Sequence, residues 1–160
     1  VCMLGYYTQY LDAKKELRAQ IEKFLDSGLT PDHLDHHHYF NEIPNILKAY
    51  LELAEEYKLP VRSMDENARN RAREMGVKTT DEFSFAFHGN GVDISTFGVL
   101  KSLFWKRDIS LEVLTHVGYI DDYTRSQTNY LVREDEINVL REAKKQGYFD
   151  DVELVGFGDI

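Results

Sequence analysis

The sequence lacks the features that mark secreted, membrane-spanning and nucleic-acid-binding proteins. Cys2 is the only cysteine among 160 residues, so an intrachain disulfide is excluded. No apolar run is long enough to cross a bilayer, and the first residues do not resemble a signal peptide. The chain has 19 Lys and Arg but 28 Asp and Glu, and the resulting net charge of −9 argues against a nucleic-acid partner or an anionic membrane surface. We therefore expect a soluble, cytoplasmic protein without nucleic-acid or membrane partners.

The overall composition is that of a globular domain. Hydrophobic residues make up 42% and charged residues 29% of the chain, and 160 residues are enough to bury one core. We expect residues 1–160 to form a single domain of catalytic type. The opening "VCMLGYYTQYL" has no initiator methionine and starts with apolar residues, which favours the interior of a longer chain. The composition leaves a homodimer open.

Helices and strands alternate along the predicted chain. Apolar residues at helical spacing, with Pro or Gly at several ends, predict helices over residues 12–27, 44–57, 64–76, 93–104 and 133–147. Short apolar runs predict strands over residues 33–35, 58–62, 110–119 and 152–157. This alternation predicts an α/β fold in which helices cover a parallel sheet.

The stretch "TPDHLDHHHYF", residues 30–40, contains four of the six histidines: His33, His36, His37 and His38. Neutral imidazole is the commonest protein ligand of transition metals, although histidine is also an ordinary surface residue. This stretch, Arg62 and His116 all fall at the carboxyl ends of predicted strands. Functional residues of parallel α/β folds collect at that edge, so the positions predict a site there.

Several ordered patterns match those of one family over nearly the whole chain. Residues 33–37 match the pattern H-x-D-S/G-H, and Ile43-Pro44 match the I-P that follows it. Residues 59–62 match the segment L-P-V-R, and residues 112–118 match the strand E-x-x-x-H-P-G. Residues 126–136 match the pattern S-x-x-x-Y-x-x-R-x-x-E. Three positions depart from the patterns: His36 replaces Ser or Gly, Asn41 replaces a later His, and Val117 replaces Pro. With these patterns the chain resembles the YdjC-like carbohydrate deacetylases, which include chitooligosaccharide deacetylases.

The resemblance implies a metal-dependent hydrolase that removes acetyl groups from N-acetylated sugars or chitooligosaccharides. It also implies a distorted, parallel (β/α) barrel of the TIM type, of which this chain is the C-terminal part. In the family a divalent ion, magnesium or zinc, is held by an Asp from an N-terminal Asp-Asp motif and by two His. One of these His matches His37, while the Asp-Asp motif and the segment with the other His are absent from this sequence.

The same match suggests roles around the ion. His116 would be the general acid or would polarise the acetyl carbonyl, since the pKa of histidine lies near neutral pH. Asp35 would hold the second ring nitrogen of His37. Arg62 would keep a carboxylate of the site ionised, although a plain surface ion pair fits it as well. Glu112 lies in an apolar strand and needs a basic partner such as Arg62.

Two further positions are candidates for contact with the sugar. Tyr130 would stack on a pyranose face and Arg133 would line the same pocket, although both also fit the start of a helix. Trp105 fits core packing better than a sugar platform. His88, in the glycine-rich turn "FHGNG", lacks the spacing of a phosphate loop and receives no predicted function.

A second interpretation stays open beside the enzyme. Asn41, Val117 and the missing N-terminal ligands favour a degenerate barrel homologue that binds carbohydrate without catalysis. The retained His37, Arg62 and His116 favour the deacetylase. An Asp-Asp motif upstream in the complete gene product would decide between the two, because zinc catalysis usually needs three protein ligands.

Overall fold

The computed structural model describes residues 9–36, 43–104, 107–127 and 130–160. The predicted metal ligand His37 lies outside these residues, as do His38, Asn41 and Trp105. The chain divides into two compact units, residues 1–81 with 155–160 and residues 82–154, called here the first and second units. Each unit has its own buried cluster of apolar side chains, and the single domain expected for the whole chain stays a prediction.

The first unit is built around one apolar helix. Its helices are α1 (Tyr10–Asp26), α2 (Pro44–Tyr57) and α3 (Glu66–Glu74), and α1 packs along α2. Pro44 occupies the first turn of α2, where a missing N–H costs nothing, and Lys58 ends the helix with a left-handed φ of 56°. Leu51 and Leu53 of α2 are almost fully buried. The predicted limits of α2 are therefore confirmed.

A single parallel bridge joins the two short strands predicted in this unit. Leu34 pairs with Val61, and Leu34 N–H donates to Pro60 O at 2.8 Å while Arg62 N–H donates to Leu34 O at 3.0 Å. Val61 is fully buried, as the sequence predicted for "KLPVR". The polar helix α3 covers this core with Ala68 and Ala72, which have no exposed surface.

The second unit holds a small parallel sheet. Strand β1 (Glu82–Ser84) pairs with β2 (Leu111–Val113), with Phe83 opposite Glu112. Its helices are α4 (Ser95–Phe104), α5 (Asp122–Gln127) and α6 (Arg133–Lys145). A core of Phe87, Phe97, Leu100 and Ala143 packs beneath the sheet residues Leu111 and Val113. Glu112 thus lies in a parallel strand, as predicted, and its role stays a prediction.

The strand predicted at residues 152–157 is wrong. Val152, Leu154 and Val155 are 43%, 75% and 50% exposed, and no strand is assigned over these residues. The sequence there is a short, mostly apolar run, but such a run forms a strand only where another strand supplies hydrogen-bond partners. A short 3-10 turn, Phe157–Asp159, follows instead.

The described residues form a mixed α/β fold whose pairing is parallel throughout. A complete TIM-type barrel is not seen in the described residues, and membership in a longer barrel stays a prediction. Within the described ranges no helix has the length and hydropathy needed to span a membrane.

Candidate active site

In the first unit, two predicted site residues form an ion pair. Arg62 Nη1 donates to Asp35 Oδ2 at 2.8 Å, and the two side chains are 24% and 41% exposed. The buried Tyr50 hydroxyl donates to Leu34 O at 2.5 Å and contacts Arg62 O at 3.3 Å. The bridge therefore fixes the backbone on which Asp35 and Arg62 are carried.

A cavity of about 620 Å³ opens beside this pair. It is lined by α1, by α2 and by residues 30–36, including His33 and His36. His33 stacks on Phe157 with ring centres 4.4 Å apart, and His36 meets Tyr50 edge-on at 5.5 Å. The volume falls in the range of small-molecule pockets. The histidine-rich segment thus borders a pocket, while the metal role of His37 stays a prediction.

In the second unit, four side chains meet in what we call the His116 cluster: His88, His116, Tyr130 and Glu136. His116 comes three residues after β2, beyond the carboxyl end of that strand. Glu136 comes from the first turn of α6 and has no exposed surface. The strand and the helix therefore bring one half-buried imidazole and one fully buried carboxylate together.

Helix α6 holds the backbone of His116 at both of its polar groups. The N–H of His116 donates to Glu136 Oε2, and the C=O of His116 accepts from Arg133 Nη1 at 3.3 Å. The Tyr130 hydroxyl donates to Glu136 Oε1, which lies 3.8 Å from Nδ1 of His116. A hydrogen bond at each polar group restricts rotation of the backbone, so α6 orients the imidazole.

His88 closes the cluster from a tight loop. Its ring stacks on Tyr130 with centres 4.6 Å apart and planes 6° apart, and lies 4.9 Å from the His116 ring. The N–H of Gly89 contacts the Tyr130 hydroxyl at 3.3 Å. Gly91 completes the loop where a Cβ would come 1.8 Å from the carbonyl oxygen of Ala86. The position of His88 thus depends on a close backbone approach that only glycine permits.

Burial keeps the tyrosine of the cluster protonated. Loss of solvent, followed by the hydrogen bond to Glu136, raises the pKa of Tyr130 to about 12. Tyr130 is therefore a neutral phenol at physiological pH and donates to the carboxylate. This contact offsets part of the cost of burying Glu136.

Three members of the cluster suit a metal ion. His88, His116 and Glu136 each offer one ligand atom, and these atoms all lie within 4.8 Å of one another. Two imidazole nitrogens and one carboxylate oxygen are a common donor set for zinc, with a fourth position left for water. The donor chemistry of the described residues thus fits a divalent ion, although these are not the ligands that the sequence predicted.

The sequence found part of this cluster. It singled out His116, Tyr130 and Arg133, which the fold brings together. Glu136 appeared only as the last residue of a pattern, although its spacing from Leu140 and Ala143 places it on the apolar face of α6, a signal for a buried carboxylate. The sequence carries no signal for His88.

The proteins that resemble this chain include two bacterial relatives and one protein of solved structure. A carbohydrate deacetylase of Brevibacillus brevis is 30% identical over 93% of this chain and 61% of its own length. A carbohydrate deacetylase of Listeria monocytogenes serotype 4a is 33% identical over 93% of this chain and 60% of its own length. A crystal structure of a candidate cellobiose-phosphate cleavage protein from Enterococcus faecalis V583 has a TM-score of 0.81 and 26% identity, covering 95% of this chain and 61% of that one.

These matches decide the family but not the activity. The chain spans about three fifths of the length of the relatives that it matches. The family described as YdjC-like protein matches residues 6–151, which is most of the chain and includes every described residue of the His116 cluster. The chain therefore belongs to the YdjC-like family.

Proposed function

We propose that the complete protein that carries this chain is a metal-dependent carbohydrate deacetylase, a hydrolase that cleaves the amide C–N bond of N-acetylated sugars or chitooligosaccharides. Two relatives that match 93% of the chain are named carbohydrate deacetylases, which supports the reaction class. The structural observation that most supports this function is the pair of hydrogen bonds that residues of α6 make to the backbone N–H and C=O of His116.

Amide hydrolysis needs an activated water, stabilisation of the developing oxyanion and a proton for the leaving amine. A bound magnesium or zinc ion, held by His37 together with ligands outside this chain, would supply the first two. His116 is the proton donor in this proposal, because an imidazole exchanges a proton near neutral pH. Its ring is about one third exposed, so a substrate nitrogen can reach it.

Tyr130 and Arg133 act through His116 in this proposal rather than through the sugar. The face of Tyr130 carries the ring of His88, and its hydroxyl donates to Glu136. Arg133 donates to the carbonyl oxygen of His116. These contacts compete with the predicted stacking on a pyranose, so we assign both residues to orienting the acid.

The ion pair of the first unit has a different task. Asp35 accepts from Arg62 through Oδ2 and follows the bridge residue Leu34. A carboxylate on the outer nitrogen of a ligand histidine fixes the tautomer that binds the ion. We therefore propose that Arg62 positions Asp35 and that Asp35 positions His37.

His116→Ala and His37→Ala separate the two roles in the complete gene product. His116→Ala should lower acetate release from N-acetylglucosamine oligomers by about 10²–10⁴-fold, the usual cost of losing a general acid, and keep one equivalent of tightly bound ion after dialysis. His37→Ala should lose both acetate release and the ion, measured by elemental analysis. Each variant is the matched imidazole deletion for the other.

Near-normal turnover in His116→Ala, or a full equivalent of ion in His37→Ala, would overturn these assignments. If the intact protein neither binds a divalent ion nor releases acetate, the carbohydrate-binding homologue replaces the enzyme. The three ligands that zinc catalysis requires would then be incomplete in the gene product as well.

A further inference from the structure

We propose that His88, His116 and Glu136 form a second metal site, for a borderline transition ion of the zinc class, and that filling it inhibits the enzyme. This site uses none of the ligands predicted for the resident ion. The binding part stands on the described residues alone. The inhibitory part rests on the proposed function, because it assigns proton transfer to His116.

The geometry of the three ligand atoms is close to that of a bound ion. Nδ1 of His116 lies 3.8 Å from Oε1 of Glu136, and one ligand atom from each of the three residues lies within 4.8 Å of the other two. Ligands at about 2 Å from one tetrahedral zinc stand roughly 3.3 Å apart. The cluster therefore needs a contraction of about 1.5 Å at most, and the exposed side chain of His88 can supply it by rotation.

Two of the three ligands are already held in place. Glu136 is fully buried and accepts from Tyr130 and from the N–H of His116, while Arg133 holds the carbonyl of His116. Hydrogen bonds from neighbouring groups orient a ligating carboxylate in known metal sites. Only His88 has to be ordered when an ion binds, so the binding free energy loses little to ordering the ligands.

The donor set selects the class of ion. Two neutral imidazole nitrogens favour zinc and similar transition ions over magnesium and calcium, which prefer oxygen ligands. Glu136 Oε1 already accepts a hydrogen bond and His88 is exposed, so the site is weaker than a closed site with four ligands. We expect it to fill only when zinc is added beyond the resident ion.

A zinc ion bound at this second site would prevent His116 from acting as the general acid. A nitrogen of His116 that binds zinc has no lone pair left for a proton, so the imidazolium that donates to the leaving amine cannot form. The ion is then not part of the reaction, and no bond in the substrate changes because of it. Excess zinc should therefore stop turnover without displacing the resident ion.

Zinc titration of the complete gene product, followed by calorimetry, tests the binding. The wild type should bind one further equivalent of Zn²⁺, and His88→Ala should weaken that event at least about tenfold, since a ligand is lost. His33→Ala is the matched control, because it removes an imidazole that stacks on Phe157 in the first unit. Glu136→Gln gives a second test that keeps the shape of the side chain.

If His88→Ala binds added zinc as tightly as the wild type, the proposed site is refuted. It is also refuted if His33→Ala weakens zinc binding as much as His88→Ala does. In the acetate assay, excess zinc should inhibit the wild type, while the turnover of His88→Ala, whatever its level without added zinc, should not fall when zinc is added. Equal inhibition of both would overturn the inhibitory part. A protein with no acetate release under any condition refutes the proposed function and the inhibition, and the calorimetric result still decides the metal site.

Discussion

Two carboxylates of the first unit, Asp35 and Glu52, and one carboxylate of the second unit, Glu136, are held in opposite ways. In the first unit, Glu52 pairs with Lys14 at 2.5 Å and Asp35 pairs with Arg62 at 2.8 Å, all at partly exposed positions. In the second unit, Glu136 has no exposed surface and accepts from a phenol and a backbone N–H. The first arrangement joins α1 to α2 and the bridge residues to each other, while the second orients one imidazole.

The two arrangements differ in their free-energy cost, and this explains why they serve different purposes. An ion pair that water reaches contributes little to stability, because solvent screens the charges. A buried carboxylate costs several kcal/mol of lost solvation unless hydrogen bonds replace the water. A fold that accepts this cost at Glu136 gains the orientation of His116, which surface pairs at the same position would not provide.

Removal of the buried carboxylate should have the largest effect on stability. Glu136→Ala leaves the Tyr130 hydroxyl and the His116 N–H without their acceptor, and we expect it to lower the free energy of unfolding by about 2–4 kcal/mol. Urea unfolding followed by circular dichroism measures this change. Glu52→Ala, in the first unit, is the matched control and should cost less than about 1 kcal/mol. If Glu136→Ala and Glu52→Ala lower the free energy of unfolding equally, the contrast between the two carboxylates is wrong.

The donor to that carboxylate should have the next largest effect. Tyr130→Phe removes one hydrogen bond to a buried charge and should cost about 1.5 kcal/mol. The pKa of Tyr130 is raised to about 12 from an ordinary value of 10.0, so its contribution is complete below pH 10 and is lost as the pH rises through 12.

Tyrosinate absorbance tests this directly. The difference between the titrations of the wild type and Tyr130→Phe should have its midpoint near pH 12. A difference curve centred at the ordinary value of 10.0 would show that the phenol is not buried against Glu136.

The smallest effect belongs to the surface pair. The hydrogen bond from Lys14, and then that from Tyr10, lowers the pKa of Glu52 below its ordinary value of 4.5. Its contribution is therefore present above pH 4.5 and is lost as the pH falls through the lowered pKa. Glu52→Gln should cost less than about 1 kcal/mol at neutral pH and nothing in acid, measured as melting temperature against pH. A cost that does not change with pH would contradict this assignment.

The sequence predicted the helices better than the strands. Pro44 and the spacing of buried leucines defined α2 locally, so its limits could be predicted. The strand expected at residues 110–119 shortens to Leu111–Val113. Strand β1 at Glu82–Ser84 was not predicted, although the phenylalanines of residues 82–87 alternate with smaller or polar residues, which is a strand signal. A strand of three residues is defined by its neighbour, and that pairing is not encoded in its own sequence.

The residues of the candidate site also differ in how far the sequence could predict them. His116 could be found because it lies near the carboxyl end of a predicted strand, and Tyr130 and Arg133 because they match the family pattern S-x-x-x-Y-x-x-R-x-x-E. The role of Glu136 and the presence of His88 depend on how α6 and the loop after β1 pack around β2. Contacts between elements that are distant in the sequence follow from packing, which one sequence does not show.

The close approach of Gly91 to Ala86 limits how the loop that carries His88 can change. Any side chain at position 91 would collide with a backbone carbonyl, so the base of the loop has almost no mutational tolerance. His88 and Asn90 are exposed at its tip and take no part in that close approach. A combinatorial library that fixes Gly91 and diversifies the tip would therefore sample new chemistry beside His116 while most of its members still fold.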